Sequence, residues 1–294
     1  MDLDDSAVHR AGEPGNSVEA HRETHVETYF DAVPRTLGRA EEFGSLTLFV
    51  CGTEGGTWPH FARPSRGVPD GVTAADVARV RARQRQLGVA ERFEWVAETT
   101  PTLRGAAEEA GLAVQEYPLM TLDPADATAP ERPDGLRIRA LSPGDPDLPG
   151  ALAVPRLVFG APAPDGTAEE EAALAAAIDG VREDGTLARS EDRIRAGLLR
   201  VVAAVTPDGE VVCSGQHLPA GDSSEIVGVA TLPSARRRGI GLAVTAALVA
   251  DAQARGVRNV VLSAADDGVA RLYARLGFRW AGTVLIGEPP RREG

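Results

Sequence analysis

The stretch "VATLPSARRRGIGLAVTAALVADAQARG", Val229 to Gly256, limits the fold more than any other. It joins a β-branched run closed by proline to a long apolar run ended by glycine, with three adjacent arginines and two glycines between them. A strand, a basic turn and a helix are what that order predicts. A helix N-terminus leaves about four backbone N–H groups without intrahelical partners and carries roughly half a positive charge, so phosphate oxygens bind there. Gly239 and Gly241 lack Cβ atoms, which lets the amides of Arg238 to Ala243 face a diphosphate, while the arginines add charge and forked donors. A solvated, arginine-rich turn is the alternative, and the surrounding chain decides between the two.

The chain as a whole is acidic, so its basic run needs a local explanation. Its 294 residues carry 43 Asp and Glu against 31 Lys and Arg, a net charge of −12, which argues against a general nucleic-acid or anionic-membrane binder. No stretch approaches the ~20 apolar residues of a membrane span. The start "MDLDDSAVHR" is acidic where a secretory signal is basic, so a soluble, cytoplasmic protein is expected. Cys51 and Cys213 lie far apart without a CxxC pair or a Cys/His cluster, which predicts reduced, buried thiols and no metal site. Neither GxxxxGK[ST] nor GxGxxG with a ribose-binding acid is present at the loop, so ATP and NAD are disfavoured.

Residues 1–19 read as a disordered tail. "SLTLFVCG" reads as a strand, "TAADVARVRARQRQLG" as a helix capped by Thr73 with Val77 and Val80 on one face, and "FEWVAETTP" as a strand. "PTLRGAAEEAG" is a helix stopped at Gly111, and "LAVQEYPLMTL" a strand. The segment "DPADATAPERPD" is all Pro, Ala and charge, and it predicts a linker over 124–134 between domains at 20–123 and 135–294. Beyond it, "GLRIRAL" is a strand, residues 152–187 carry helix, and two strands flank "PDGE". "SEIVGVATLP" and "VRNVVLSA" are strands, "GLAVTAALVADAQARG" a helix with Leu242, Ala246 and Val249 at helical spacing, "GVARLYARLG" a short helix and "FRWAGTVLIG" a last strand. "PTLRGAAEEAGLAV" and "GVARLYARLGFRW" repeat one order, helix, glycine and strand, which suggests an internal duplication.

The basic loop resembles the acyl-CoA motif of the GNAT superfamily of N-acetyltransferases, [Q/R]-x-x-G-x-[G/A], with Arg236, Gly239 and Gly241 at its defined positions. The resemblance runs from about Gly135 to Ile286, and "GVARLYARLGF" is similar to the family's following helix. It implies an α/β (α+β) mixed sheet of the GNAT fold, with acetyl-CoA as co-substrate and no metal. It also implies that the backbone of Val229, Ala230 and Thr231 pairs with the pantetheine arm, with an N–H near Ala230 on the developing oxyanion. Arg237, Arg238, Gly239, Ile240, Gly241, Leu242 and Ala243 would hold the diphosphate. Tyr273 falls at the general-acid position, where a phenol protonates the departing thiolate. The family often has Asn where this chain has Asp266.

Glu225, thirteen residues before Arg238, matches the spacing of the base in histone-acetylating members; a solvated strand-end Glu is the alternative. Ser263 is the only polar side chain that "VVLSA" offers on the next strand, and His217 is a second titratable candidate that reads more simply as structural. In the N-terminal half "ARPSRGVPDGVTAADVARV" stands where the loop belongs and lacks RxxGxG, so a degenerate GNAT-like half that binds no CoA is expected in a tandem arrangement. The expected activity is transfer of acetyl to an amine of a small molecule or peptide, the acidic surface favouring a cationic acceptor. Transfer of a larger acyl group, a CoA-binding regulatory module and an interaction domain are the alternatives.

Overall fold

The computed structural model describes residues 26–51, 60–131, 133–160 and 167–290. The tail expected over 1–19 lies outside them. The N-terminal half runs α1 (residues 26–35), β1 (Gly38–Glu42), β2 (Leu46–Cys51), β3 (Phe61–Pro64), α2 (Ala74–Gln86), β4 (Phe93–Val96), α3 (Thr102–Glu109) and β5 (Ala113–Leu122). The C-terminal half opens with β6 (Arg137–Ala140), α4 (Leu148–Gly160), α5 (Thr167–Glu183), α6 (Thr186–Arg195), β7 (Arg200–Val205) and β8 (Val211–Ala220). It closes with β9 (Ser223–Thr231), α7 (Ile240–Ala254), β10 (Asn259–Ser263), α8 (Asp267–Ala274) and β11 (Arg279–Glu288).

One sheet takes in the eleven strands of the described residues, in the order β1-β2-β3-β4-β11-β5-β10-β9-β8-β7-β6. The two halves repeat each other. β1, β2 and β3 are successively antiparallel and β3 is parallel to β4 across the α2 crossover; β7, β8, β9 and β10 do the same around α7. The repeat then exchanges its last strands, since β11 lies between β4 and β5 while β5 lies between β11 and β10. The two helix–glycine–strand units of the sequence are therefore α3–Gly111–β5 and α8–Gly277–β11. Each glycine sits at positive φ, 83° and 100°, where the chain reverses out of its helix. Their strands pair antiparallel at the middle of the sheet, from Ala113 opposite Glu288 to Thr121 opposite Arg279.

Three apolar clusters follow from this layout. One face is covered by α1 and α4 and joins residues of both halves, from Val26 and Phe30 to Val261 and Val284. The opposite face splits into one cluster under α7 and α8 and another under α2 and α3, where Val77, Val80, Phe93 and Trp95 are fully buried.

One helix face, that of α7, differs from expectation. The buried side of α7 is Ile240, Val244, Leu248 and Ala252 with Thr245 and Val249, while Leu242 and Ala246 are only partly covered. On α8, Leu272 is exposed and the packed side is Val269, Ala270 and Tyr273, continued by Leu276, because positions one residue apart point about 100° from each other. Three elements carry no clear sequence signal: α1, the charged edge strand β1 ("GRAEE") and the short β3.

Candidate functional site

The basic loop stands between β9 and α7. Gly239 caps α7 at φ 74° with no side-chain hydrogen bond, and the first turn of α7 contains no acidic residue. The first helical bond in the turn runs from the Ala243 amide to the Gly239 carbonyl, so the amides just ahead of it point out of the helix. Arg237 has φ 61°, and among the described residues it is the only non-glycine at positive φ. Left-handed residues that alternate with residues at negative φ, as Arg237 and Gly239 do around Arg238, turn successive backbone N–H groups into a concavity that suits an anion. Arg237 and Arg238 are exposed beside it, and Arg236 uses Nε on the Thr231 carbonyl at 3.3 Å. A Cβ at Gly239 would meet no protein atom within 4 Å, so its dihedral, and space for a ligand, are what call for glycine.

The equivalent helix start in the N-terminal half is closed. Thr73 caps α2 by accepting the Asp76 amide at 3.3 Å while Asp76 accepts the Thr73 amide at 2.9 Å, a reciprocal capping box. The Asp76 carboxyl, its pKa lowered first by the Thr73 hydrogen bonds, places negative charge where an anion would bind.

Beside the loop the sheet opens. β9 and β10 pair from Ser223 opposite Asn259 to Glu225 opposite Val261, and the ladder stops there although β9 continues to Thr231. In that unpaired stretch a bulge sets Gln216 opposite Val227 but Ser214 opposite Ala230, with Gly228 at φ 62°. Gly215 on β8 gives the bulge its room, since a Cβ there would lie 3.0 Å from Val229 Cγ2 and 2.9 Å from Leu248 Cδ1. The backbone of Val229, Ala230 and Thr231 thus borders a wedge between two strands, with Arg237 to Ala243 at its mouth.

Glu225 and Tyr273 lie on opposite faces of the sheet with this wedge between them. Glu225 lines a cavity of about 40 Å³ on the α1 side together with Phe30, Phe61, Arg63, Glu94 and Ser263. Burial pushes its carboxyl up to about 8, the Glu94 charge adds to that, and Arg63 opposes it. Tyr273 packs under α7 with its ring 6.0 Å from that of Phe278. Burial raises its phenol first and the neighbouring Cys213 adds, while a hydrogen bond with Thr245 acts the other way. Thr245 itself donates to the Gly241 carbonyl at 2.9 Å, in the first turn of α7. Asp266 caps α8, accepting the Val269 amide at 2.8 Å.

His217 does not join the site. It is fully buried, with Nδ1 2.8 Å from the Ser224 hydroxyl and Nε2 3.0 Å from Asp251 on α7. Cys213 is a buried free thiol, pushed up to about 11 by burial. Sequence reading missed three residues that shape the site. Buried Glu170 on α5 accepts both the amide and the hydroxyl of Ser234, anchoring the turn before the loop. Tyr29 on α1 holds β9 at Glu225, and Arg63 on β3 enters the cavity. None stands in a motif, and Glu170 sits inside the run "EEE", where it reads as one more solvated acid.

Residues 172–278, within the C-terminal half, match the model of the Acetyltransferase (GNAT) family. Among solved structures, a GCN5-related N-acetyltransferase from Kribbella flavida is 22% identical, with 92% of this chain and 97% of that one covered at a TM-score of 0.66. A GCN5-related N-acetyltransferase from Sphaerobacter thermophilus is 18% identical over 83% of this chain and 76% of that one, at 0.53. A tandem GNAT protein from the clavulanic acid biosynthesis pathway is 17% identical over 84% and 79%, at 0.51. Identities this low speak for the fold, a tandem of two GNAT-like halves. No curated protein sequence matches the chain. Among the described residues no helix is long and apolar enough to cross a membrane, and no group of three or more His, Cys, Asp or Glu is placed to hold a metal ion.

Proposed function

We propose that the chain transfers an acetyl group from acetyl-CoA to an amine, with the chemistry in residues 135–294, a linker over 124–134, and residues 20–123 as a partner unit that binds no CoA. The observation that carries this reading is the wedge itself: past Glu225 β9 keeps β8 on one side but no longer pairs with β10 on the other, and the open amides of α7 stand at its mouth. The strand edge and the loop both fit the ligand. The free edge of Val229–Thr231 suits an amide-bearing arm added like a strand, and the left-handed Arg237 and Gly239 suit a diphosphate.

Acetyl-CoA supplies an activated thioester when bound. Glu225, titrating near the working pH, takes one proton from the acceptor ammonium and releases it to solvent. The backbone around Ala230, turned by the Gly228 bulge, offers an N–H toward the thioester oxygen. Tyr273, whose raised pKa keeps its proton in place, donates it to the leaving sulfur and regains one from the acylated nitrogen. The products are the amide, the free thiol and one proton, so the step balances.

Two variants test this. Gly239→Val forces a β-branched residue into the left-handed region and is expected to abolish acetyl-CoA binding by calorimetry while circular dichroism stays native. Tyr273→Phe is expected to retain acetyl-CoA affinity while single-turnover transfer slows by roughly 10²- to 10⁴-fold. An unchanged single-turnover rate would remove Tyr273 from the chemistry. Unaltered affinity in folded Gly239→Val would remove the loop from cofactor binding.

A further inference from the structure

Arg63 is the one cation in the cavity beside Glu225, and its surroundings are unusual. It is 5% exposed, and its Nη2 is buried without a hydrogen-bond partner. The guanidinium stacks on Phe30 at 4.3 Å from the ring centroid, which holds the group without satisfying its N–H donors. A buried guanidinium donor with no acceptor is costly, and such groups are found where an acceptor arrives from outside.

Strand alternation fixes where Arg63 points. Phe61 and Arg63 project to the α1 side of β3, whereas Ala62 between them joins the core under α2 and α3. On β4 the same alternation sends Phe93 and Trp95 into that core and Glu94 into the cavity. Glu94 already accepts from Arg92 Nε at 2.7 Å, so the cavity's own acids do not complete Arg63. Glu225 reaches the same space from β9, at the position where β9 and β10 part. The cavity therefore presents carboxyls and an unpartnered guanidinium Nη2 beside the point where β9 and β10 part, in a volume that admits only the head of a small molecule.

We propose that the acceptor is an amino acid, its ammonium group seated against Glu225 and Glu94 and its carboxylate held by Arg63. This deepens the acetyltransferase reading and rests on it. A simple amine would satisfy the carboxyls and leave the Arg63 Nη2 buried and unpaired, whereas a zwitterion meets both charges and adds no net charge to the cavity. The degenerate half thereby contributes specificity through β3 and β4, while the other half contributes the acetyl site.

The test compares standard amino acids with their decarboxylated amines, in wild type and in Arg63→Met, reading both acetyl transfer and acceptor binding by calorimetry. Wild type is expected to favour at least one amino acid over its decarboxylated amine by roughly 100-fold in kcat/KM. Arg63→Met is expected to close that gap, and Arg63→Lys, which keeps the charge but loses the fork, to leave about a tenth of it. Retained acetyl-CoA binding certifies the fold of either variant. Decarboxylated amines transferred as well as amino acids by wild type would overturn the proposal and leave the acetyltransferase reading standing, as would a gap that survives Arg63→Met. Amino-acid binding that needs Arg63 but leads to no transfer would uphold the amino-acid site while sinking the acetyltransferase reading and with it the acceptor role; no amino-acid binding at all would overturn the proposal.

Discussion

The Tyr29 hydroxyl bridges β8 and β9 at Glu225: it donates to the Leu218 carbonyl at 2.7 Å and accepts the Glu225 amide at 2.9 Å. Leu218 and Glu225 are opposed partners in the antiparallel register of those strands, so a side chain from α1 completes the sheet where the proposed base stands. Tyr29 is almost wholly buried, and burial first, then the Glu225 charge, raises its phenol well above the usual value. The proton therefore stays on, and the hydroxyl works as a fixed connector.

Tyr29→Phe keeps the ring, including its edge contact with Phe30, and removes only the bridge. A buried amide and a buried carbonyl then lose their partner, so urea unfolding should show a loss of about 1–3 kcal/mol. Because the Glu225 backbone is held by that bridge, acetyl transfer should fall more than acetyl-CoA affinity. Equal stability of the two proteins would mean that the strands close the gap directly.

Glu225 gives a signed pH dependence. As a base it must be ionised, so kcat/KM should rise with pH through about 8 in wild type, and the Glu225→Gln variant should lose that limb. Stability should move the other way. A carboxyl whose folded pKa lies above its unfolded value favours the fold fully below the unfolded value, near 4.3, and progressively less as pH rises through the folded one. Chemical denaturation between pH 5 and 9 should therefore show a decline in wild type that flattens in Glu225→Gln. A flat wild-type profile would mean that the carboxyl is solvated and titrates normally.

Much of the C-terminal half is legible because its signals are local. The run Val229–Gly256 contains its own strand, glycine cap and helix, and Thr73 with Asp76 announces α2 in the same way. What the sequence hides is long-range. β1 is a polar edge strand whose charges pair outward, Glu41 with Arg83 on α2, so it lacks the alternation that marks a half-buried strand. Arg63 reads as an ordinary surface cation until β3 places it over Phe30, and Glu225 reads as a solvated strand end until Glu94 and α1 close around it. The duplication is visible as helix, glycine and strand, but no local pattern says that the duplicated strands trade places, since β5 and β11 would look the same paired within their own halves.

That exchange sets the last prediction. Residues 135–294 contain the loop, Glu225 and Tyr273, yet without β5 the edge of β10 from Val260 to Ser263 and the inner edge of β11 both lose their partner. Unpaired apolar strand edges associate with other chains. The fragment 135–294 expressed alone should aggregate, and the fragment 20–134, which lacks β11 between β4 and β5, should do the same. Produced together they should form a soluble complex with the circular dichroism and acetyl-CoA affinity of the intact chain, because the strands need to meet but the linker need not be continuous. Size-exclusion chromatography of the separate and joint preparations makes the comparison. A soluble, monomeric fragment 135–294 that binds acetyl-CoA would mean that β11 can close on β10 without its exchanged neighbour, and that the shared sheet is not what holds the acetyl site open.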